Sequence, residues 1–428
     1  MRLFLAYLVA MACCIATSSF AQTTLLYCGR VVDVRSLAVL PQRTIVIVGR
    51  QIASVEHGYR PANGEPSFDL RAHTCLPGLT DLHVHLTADQ LGTISDQIVK
   101  QNAADFALRA VPNAEKTLLA GFTSVRDLIS PHNVSASVRD AIHAGRIKGP
   151  RVQAAGVIST PGGHGDLFAP GLRRDLAGNP GPEHGVISGP EEAARVVRQY
   201  YRDGLDLIKV TATGGVVSLG RSADAPQFSA AELAAIVATA RDYRMNVACH
   251  AHGKEGMLRA ILAGVQTIEH GSYLDDEVIA AMKKHGTWLI PTLSAGRYLA
   301  ESAQVVGSFP EAVRTKALTI SALLQGAFAR AYKAGVKIAF GTDSAVSPHG
   351  ENGKEFEYMV EAGMPPLEAI RAATLSAAIV MGTEKQLGTL EAGKLADVIA
   401  VPGDPSQDIR MMNHVTFVMK DGMVYRHP

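Results

Sequence analysis

Aromatic residues make up only 6% of this 428-residue chain, with a single tryptophan, and cysteine occurs five times. So few cysteines exclude a disulfide-stapled scaffold. An excess of either charge is missing too. A formal net charge of +1 and a pI near 7.8 give no electrostatic case for nucleic acid. No internal repeat or low-complexity tract stands out, which excludes solenoids and linker arrays. What is present is 47% hydrophobic residues and 40 glycines. That composition predicts a loop-rich α/β protein with a large core, one big domain plus a smaller one.

The first residues predict a leader rather than part of the fold. Arg2 precedes an apolar run from Leu3 to Ala16, and Ser19-Phe20-Ala21 supplies a small-x-small cleavage site. The run is short for a membrane span, so residues 1–21 read as a signal peptide and the mature chain as periplasmic or secreted, free of the membrane. Cys13 offers a lipid-attachment alternative, with a poor lead-in at Ala10-Met11-Ala12. Cleavage leaves Cys28, Cys75 and Cys249, expected as three buried thiols.

Short β-like runs at 25–34, 43–48 and 51–56 are mirrored near the other end by 396–401 and 415–425. Neither group makes a useful sheet alone, so residues 22–78 and 385–428 are expected to combine into a small β-sandwich. Between them, strands are predicted at 80–86, 124–128, 152–158, 205–210, 246–250, 267–269, 288–292 and 337–340. Helical patterns at 191–203, 230–243, 256–263 and 366–380 lie between or after these. Eight strands alternating with helices over residues 79–384 describe a (β/α)8 TIM barrel. The Gly/Pro-rich segment 160–189 reads as a lid over the barrel mouth.

Asp81-Leu82-His83-Val84-His85 carries the strongest chemical signal. Side chains two apart on a strand share a face, so His83 and His85 project together, as ligands of a borderline-soft cation would. Lys209, His250, His270 and Asp343 follow at the ends of the fourth, fifth, sixth and eighth predicted strands. Each alone reads as a structural histidine, a surface cation or a helix cap. All six at successive strand ends converge on one mouth.

This order of residues resembles the metal-dependent amidohydrolase superfamily, as do Pro77-Gly78-Leu79-Thr80, Gly121-Phe122-Thr123-Ser124-Val125-Arg126-Asp127 and Gly388-Thr389-Leu390-Glu391-Ala392-Gly393. Thr211-Ala212-Thr213-Gly214-Gly215 and Gly162-Gly163-His164-Gly165 are similar to its prolidase-like and carboxypeptidase-like branch, close to bacterial amidohydrolases that hydrolyse ochratoxin A. The resemblance implies two divalent metal ions, zinc by default. His83, His85 and Asp343 would hold one and His250 and His270 the other, bridged by a carbamate on Lys209. It further implies Asp343 as the catalytic proton carrier and His164 and His252 as substrate contacts. Phe228 stands where some relatives carry a tyrosine hydroxyl. Arg173, Arg174, His184 and His349 read as solvated loop residues. The expected substrate is a small amide with a free carboxylate, and the expected assembly a homo-oligomer. The competing readings are a cyclic amide hydrolase or deaminase of the imidazolonepropionase type, against which Lys209 argues, and a non-catalytic scaffold.

Overall fold

The computed structural model describes residues 22–428 except 90–96, 98, 167–172, 219, 221 and 306. The expected leader at 1–21 therefore lies outside the described residues. The chain opens with β1 (Thr23–Asp33), β2 (Ala38–Val48), β3 (Gln51–His57) and β4 (Ser67–Pro77). Seven parallel strands follow in spatial sequence order: β5 (Leu79–Val84), β6 (Phe122–Asp127), β7 (Arg151–Ile158), β8 (Leu207–Thr211), β9 (Asn246–Ala251), β10 (Thr267–His270) and β11 (Trp288–Ile290). Their side chains are buried almost without interruption, as expected of strands covered on both faces.

The eighth position departs from the expected strand at 337–340. Only Ile338 forms a bridge there, to Leu289. The segment nevertheless closes the ring. Ala339 N donates to Leu289 O at 3.1 Å on one side, and Leu82 N donates to Phe340 O at 3.0 Å on the other. Left-handed backbone at Asp343 (φ 60°) and Ala345 (φ 111°) ends the extended run before a regular ladder develops.

The helices around the barrel are α1 (Ala103–Leu119), α2 (Val134–His143), α3 (Pro190–Arg202), α4 (Ala230–Asp242), α5 (Lys254–Ala263), α6 (Asp276–His285), α7 (Leu293–Ser302) and α8 (Glu311–Lys333). Local chemistry explains their starts. Pro190 begins α3, followed by Glu191 and Glu192 in its first turn, and Ser229 with Glu232 forms a capping box on α4. The predicted helix at 366–380 is interrupted by a π-helical turn at Ala372–Ser376. Among the described residues no helix is long and apolar enough to cross a membrane.

The last strands, β12 (Val398–Pro402), β13 (Phe417–Lys420) and β14 (Met423–Arg426), return to the first four. Together they form one seven-stranded sheet in the order β14-β13-β12-β4-β1-β2-β3. The sheet curls until its β3 edge meets the approach to β12, where Ile52 N donates to Lys394 O and Ala396 N to Arg50 O, both at 2.8 Å. Leu26, Ile45 and Ile52 from one half thus pack with Val398, Phe417 and Met419 from the other, two layers around one core as in a sandwich.

Two features here differ from the sequence reading. β4 is not among the predicted strands, although Asp69, Arg71 and His73 alternate with Phe68, Leu70 and Ala72 as in a half-covered strand, and it lies between β1 and β12 at the centre of the sheet. Cys28 and Cys75 form a disulfide rather than two thiols. β1 and β4 are parallel neighbours, and the register shift between Cys28 and Arg30 brings the two Cα atoms to 5.9 Å. Cys249 remains a buried thiol.

Candidate metal centre and active site

His83 and His85 reach the barrel mouth from β5, with their rings 5.2 Å apart. Each is held from behind. His83 N donates to Asp81 Oδ1 at 3.0 Å, and His83 Nδ1 donates to Glu269 Oε2 at 2.9 Å. A carboxylate can only accept, so Nδ1 carries the hydrogen and Nε2 presents its lone pair to the mouth. Burial and the nearby Lys209 lower the His83 pKa to about 4, so that lone pair is free at neutral pH. It faces Asp343 Oδ1 at 3.4 Å, and His85 Nε2 lies 2.8 Å from the same oxygen. Burial would raise the Asp343 carboxyl, but His83, His85 and Lys209 together hold it well below the usual carboxylate range. An imidazole lone pair aimed at a carboxylate oxygen marks a place for a cation.

Three more histidines form the opposite wall. His250 Nε2 donates to the Gly214 carbonyl at 2.9 Å, which leaves Nδ1 as its lone-pair atom. His252 Nδ1 is bonded to Ser272 Oγ and His270 Nδ1 to Thr292 Oγ1, each at 2.7 Å. Burial pushes the pKa of all three down, to about 4 for His252 and well below the ordinary value for His250 and His270. Two groups of potential ligand atoms lie within 4.8 Å of one another: His250, His252 and His270, and His83, His270 and Asp343. Backbone strain gathers at this site. His270 (φ 71°), Thr292 (φ 52°) and Asp343 (φ 60°) all adopt the left-handed region, which Asp and His tolerate and β-branched Thr rarely enters.

Lys209, on β8, is fully buried on the same cavity, and among the described residues its ammonium has no hydrogen-bond partner. Burial lowers its pKa to about 8 against the opposing pull of Glu269 and Asp343. Those carboxylates offset part of the cost of a buried ammonium, but no hydrogen bond among the described residues completes it. The donor set fits the group implied by the sequence. Neutral imidazole nitrogens, an ionised carboxylate and a lysine made anionic by CO2 are suitable ligands for two divalent ions.

His164 lies on the loop after β7, its ring 4.3 Å from that of His250. Gly215 is needed beneath it, since a Cβ there would run into the imidazole. Burial, with the neighbouring His252 and Lys209, lowers the His164 pKa to about 3. Beyond the histidines the cavity becomes apolar, with Val216, Leu299, Ile320, Leu324 and Val346 among its walls. Loop 214–220 carries one of these walls and is clamped by Lys316 of α8. The Lys316 ammonium donates to the carbonyls of Gly215 (3.0 Å), Ser218 (2.6 Å) and Gly220 (2.9 Å).

Several supporting residues escaped the sequence reading. Arg126 pairs with Glu269 at 2.7 Å in full burial, so the chain Arg126–Glu269–His83 sets the histidine's orientation. Burial alone would raise Glu269, but Arg126 and His83 bring it to about 2. Asp81 gathers Thr342 and Asn352 behind the closing segment, and Glu355 caps α7 by accepting from Leu293 N and Ser294 N. His349, expected as a solvated residue, is buried and bonded to the Ala88 carbonyl at 3.0 Å. Asn113 of α1 also donates toward this turn, to Leu86 O at 3.0 Å, so the loop after β5 is fixed from both sides. Arg173, Arg174 and His184 are exposed. Phe228 is buried in the main core cluster.

A histidine-rich mouth with residues that could hold a metal ion, on a parallel barrel, has the layout of a TIM-barrel hydrolase site. Residues 74–426 match the amidohydrolase family, and the chain belongs to it: it is an enzyme that hydrolyses amide bonds. An ochratoxinase of Aspergillus niger is 35% identical over 97% of this chain and 89% of its own length. A solved Xaa-Pro dipeptidase with methionine bound in its active site matches with a TM-score of 0.92 at 45% identity, covering 95% of this chain and 100% of that one. The crystal structure of A. niger ochratoxinase matches with a TM-score of 0.82 at 33% identity, over 96% of each chain.

Proposed function

We propose that this enzyme is a binuclear metal-dependent amidohydrolase that cleaves the amide bond to a C-terminal amino acid. Its substrates would be dipeptides, N-acyl amino acids or compounds of the ochratoxin A type. The observation that carries this reading is Lys209: a buried amine with no hydrogen bond among the described residues, beside Asp343 and the histidines, where a carbamate would complete two metal sites. His83, His85 and Asp343 would hold one ion, His250 and His270 the other, with modified Lys209 between them. When bound, the ions would polarise the scissile carbonyl and acidify water.

The chain's own residues do the rest. Asp343, ionised at neutral pH, can take a proton from the attacking water at its carboxylate oxygen and return it to the leaving amine. His164 and His252, both neutral, can donate N–H groups to the substrate carbonyl or carboxylate. With a phenylalanine at 228, side-chain assistance to that polarisation falls to these two. Among the described residues, Lys209 and Asp343 are the charged side chains lining the cavity, apart from its histidines. Selection for a free carboxylate would therefore rest on the metal charge and the histidine donors. The methionine seated in the related dipeptidase supports an amino-acid subsite. The Cys28–Cys75 disulfide supports export to an oxidising compartment.

The test pairs an N-acyl phenylalanine with its C-terminal amide. The free acid should be cleaved about tenfold to a hundredfold better in kcat/KM, the worth of one charge-assisted contact. Equal rates would remove the C-terminal amino acid from the reading and favour a general or cyclic amidase.

A further inference from the structure

The triangle of His250, His252 and His270 supports more than the ligand set above. Their ring centroids are 4.7 to 5.0 Å apart, all three are buried, and one ligand atom of each lies within 4.8 Å of the others. Their outward nitrogens are anchored separately, by Gly214 O, Ser272 Oγ and Thr292 Oγ1. These anchors come from three different loops and leave Nδ1 of His250 and Nε2 of His252 and His270 as the unanchored ligand atoms. Metal-ligating histidines are commonly fixed in this way, through a bond on the far ring nitrogen. Three neutral imidazoles leaving a fourth position open make a complete site for zinc or cobalt.

We infer that this enzyme has a three-histidine metal site, formed by His250, His252 and His270, that fills without CO2 and without Lys209. His252 then serves in turn: as a metal ligand while Lys209 is unmodified, and as a substrate contact once a carbamate takes its place. This rests on the binuclear reading only for the second duty. The first is a property of the unmodified chain.

Cobalt(II) is the probe, because four-coordinate cobalt absorbs strongly in the visible and needs no substrate. The mature protein is stripped with chelator and titrated with Co2+ in CO2-free buffer, with binding followed by absorbance and calorimetry. One ion per chain with four-coordinate intensity is expected in the wild type, and unchanged in Lys209→Ala. Placing His252→Asn on the Lys209→Ala background should weaken that ion at least tenfold and lower its absorbance. Circular dichroism and the metal-free melting temperature establish that each variant is folded, and His252→Gln repeats the test with a longer side chain. The inference fails if Lys209→Ala binds no cobalt tightly, or if folded His252 variants bind it as before. Loss through His83→Asn instead would assign the ion to the Asp343 side and overturn it equally. Failure of amide hydrolysis would sink the proposed activity and leave these spectra untouched, so the two ideas fall separately.

Discussion

Removing Glu269 should separate two duties that the structure joins in one carboxylate. Glu269 neutralises Arg126 at 2.7 Å and accepts the His83 Nδ1 hydrogen at 2.9 Å, with both partners' side chains at most 2% exposed. Glu269→Met, of similar volume, strands the guanidinium in the core. Breaking a buried pair from one side costs about 3–5 kcal/mol, which is roughly 3–6 °C in the melting temperature of a metal-free protein of this length. The same change frees His83 to rotate, and loss of such a partner weakens a metal site by about tenfold to a hundredfold. The double variant Arg126→Met with Glu269→Met removes both charges. It should regain most of the stability, short of the bond from Arg126 Nε to the Leu82 carbonyl, and yet keep the weakened metal affinity. Thermal melts of chelator-treated protein and zinc titrations read the two effects independently. A Glu269→Met melt within about 1 °C of wild type would refute the pair's energetic role. Recovery of metal affinity in the double variant would refute the control of His83.

Three further outcomes are expected. Asp343→Asn should lower kcat far more than metal content, because an amide oxygen can still contact a cation but cannot accept the proton; near-normal turnover would pass that role to another group, His252 first. Reactivation of stripped enzyme by zinc and bicarbonate should be faster at pH 8.5 than at pH 6.5. A lysine pKa near 8 rather than 10.5 raises the neutral amine at pH 7 from about one in three thousand to about one in ten, and a pH-independent rate would contradict this. Lys316→Met should raise KM for bulky acyl substrates several-fold with little change in kcat or metal content, because it releases loop 214–220, and Lys316→Arg should restore part of the loss.

The residues brought together at the mouth were legible because a strand has a two-residue period and a barrel has a single functional face. His83 and His85 follow from the first rule, and Lys209, His250, His270 and Asp343 from the second. Arg126 sits within a quoted motif and Glu269 at the end of a predicted strand, but their pairing across 143 residues has no local signature. Asp81, Asn352 and Glu355 are ordinary polar residues in sequence. Only the third dimension shows them inside, where burial raises Asp81 to about 6 and Glu355 to about 7. The Cys28–Cys75 bond depends on a parallel pairing between β1 and an unanticipated β4, so spacing could not reveal it. The eighth strand was placed correctly but expected to be too regular, since left-handed Asp343 trades ladder geometry for aim.

The seven-stranded sheet carries a consequence for biosynthesis. Its central strand β4 ends at Pro77, and the neighbour that covers its open side, β12, begins at Val398. A ribosome must therefore make more than 300 further residues before that edge is paired. Contacts so distant in sequence form late and slowly. Until then the nascent chain exposes a strand edge with Cys75 and Leu76 upon it, a template for pairing with a second chain. Shortening the chain at Asn413 would delete β13 and β14 and leave Leu26 and Val398 without Phe417 and Met419. A cut remote from the histidine-lined mouth would thus decide whether the barrel survives its own synthesis.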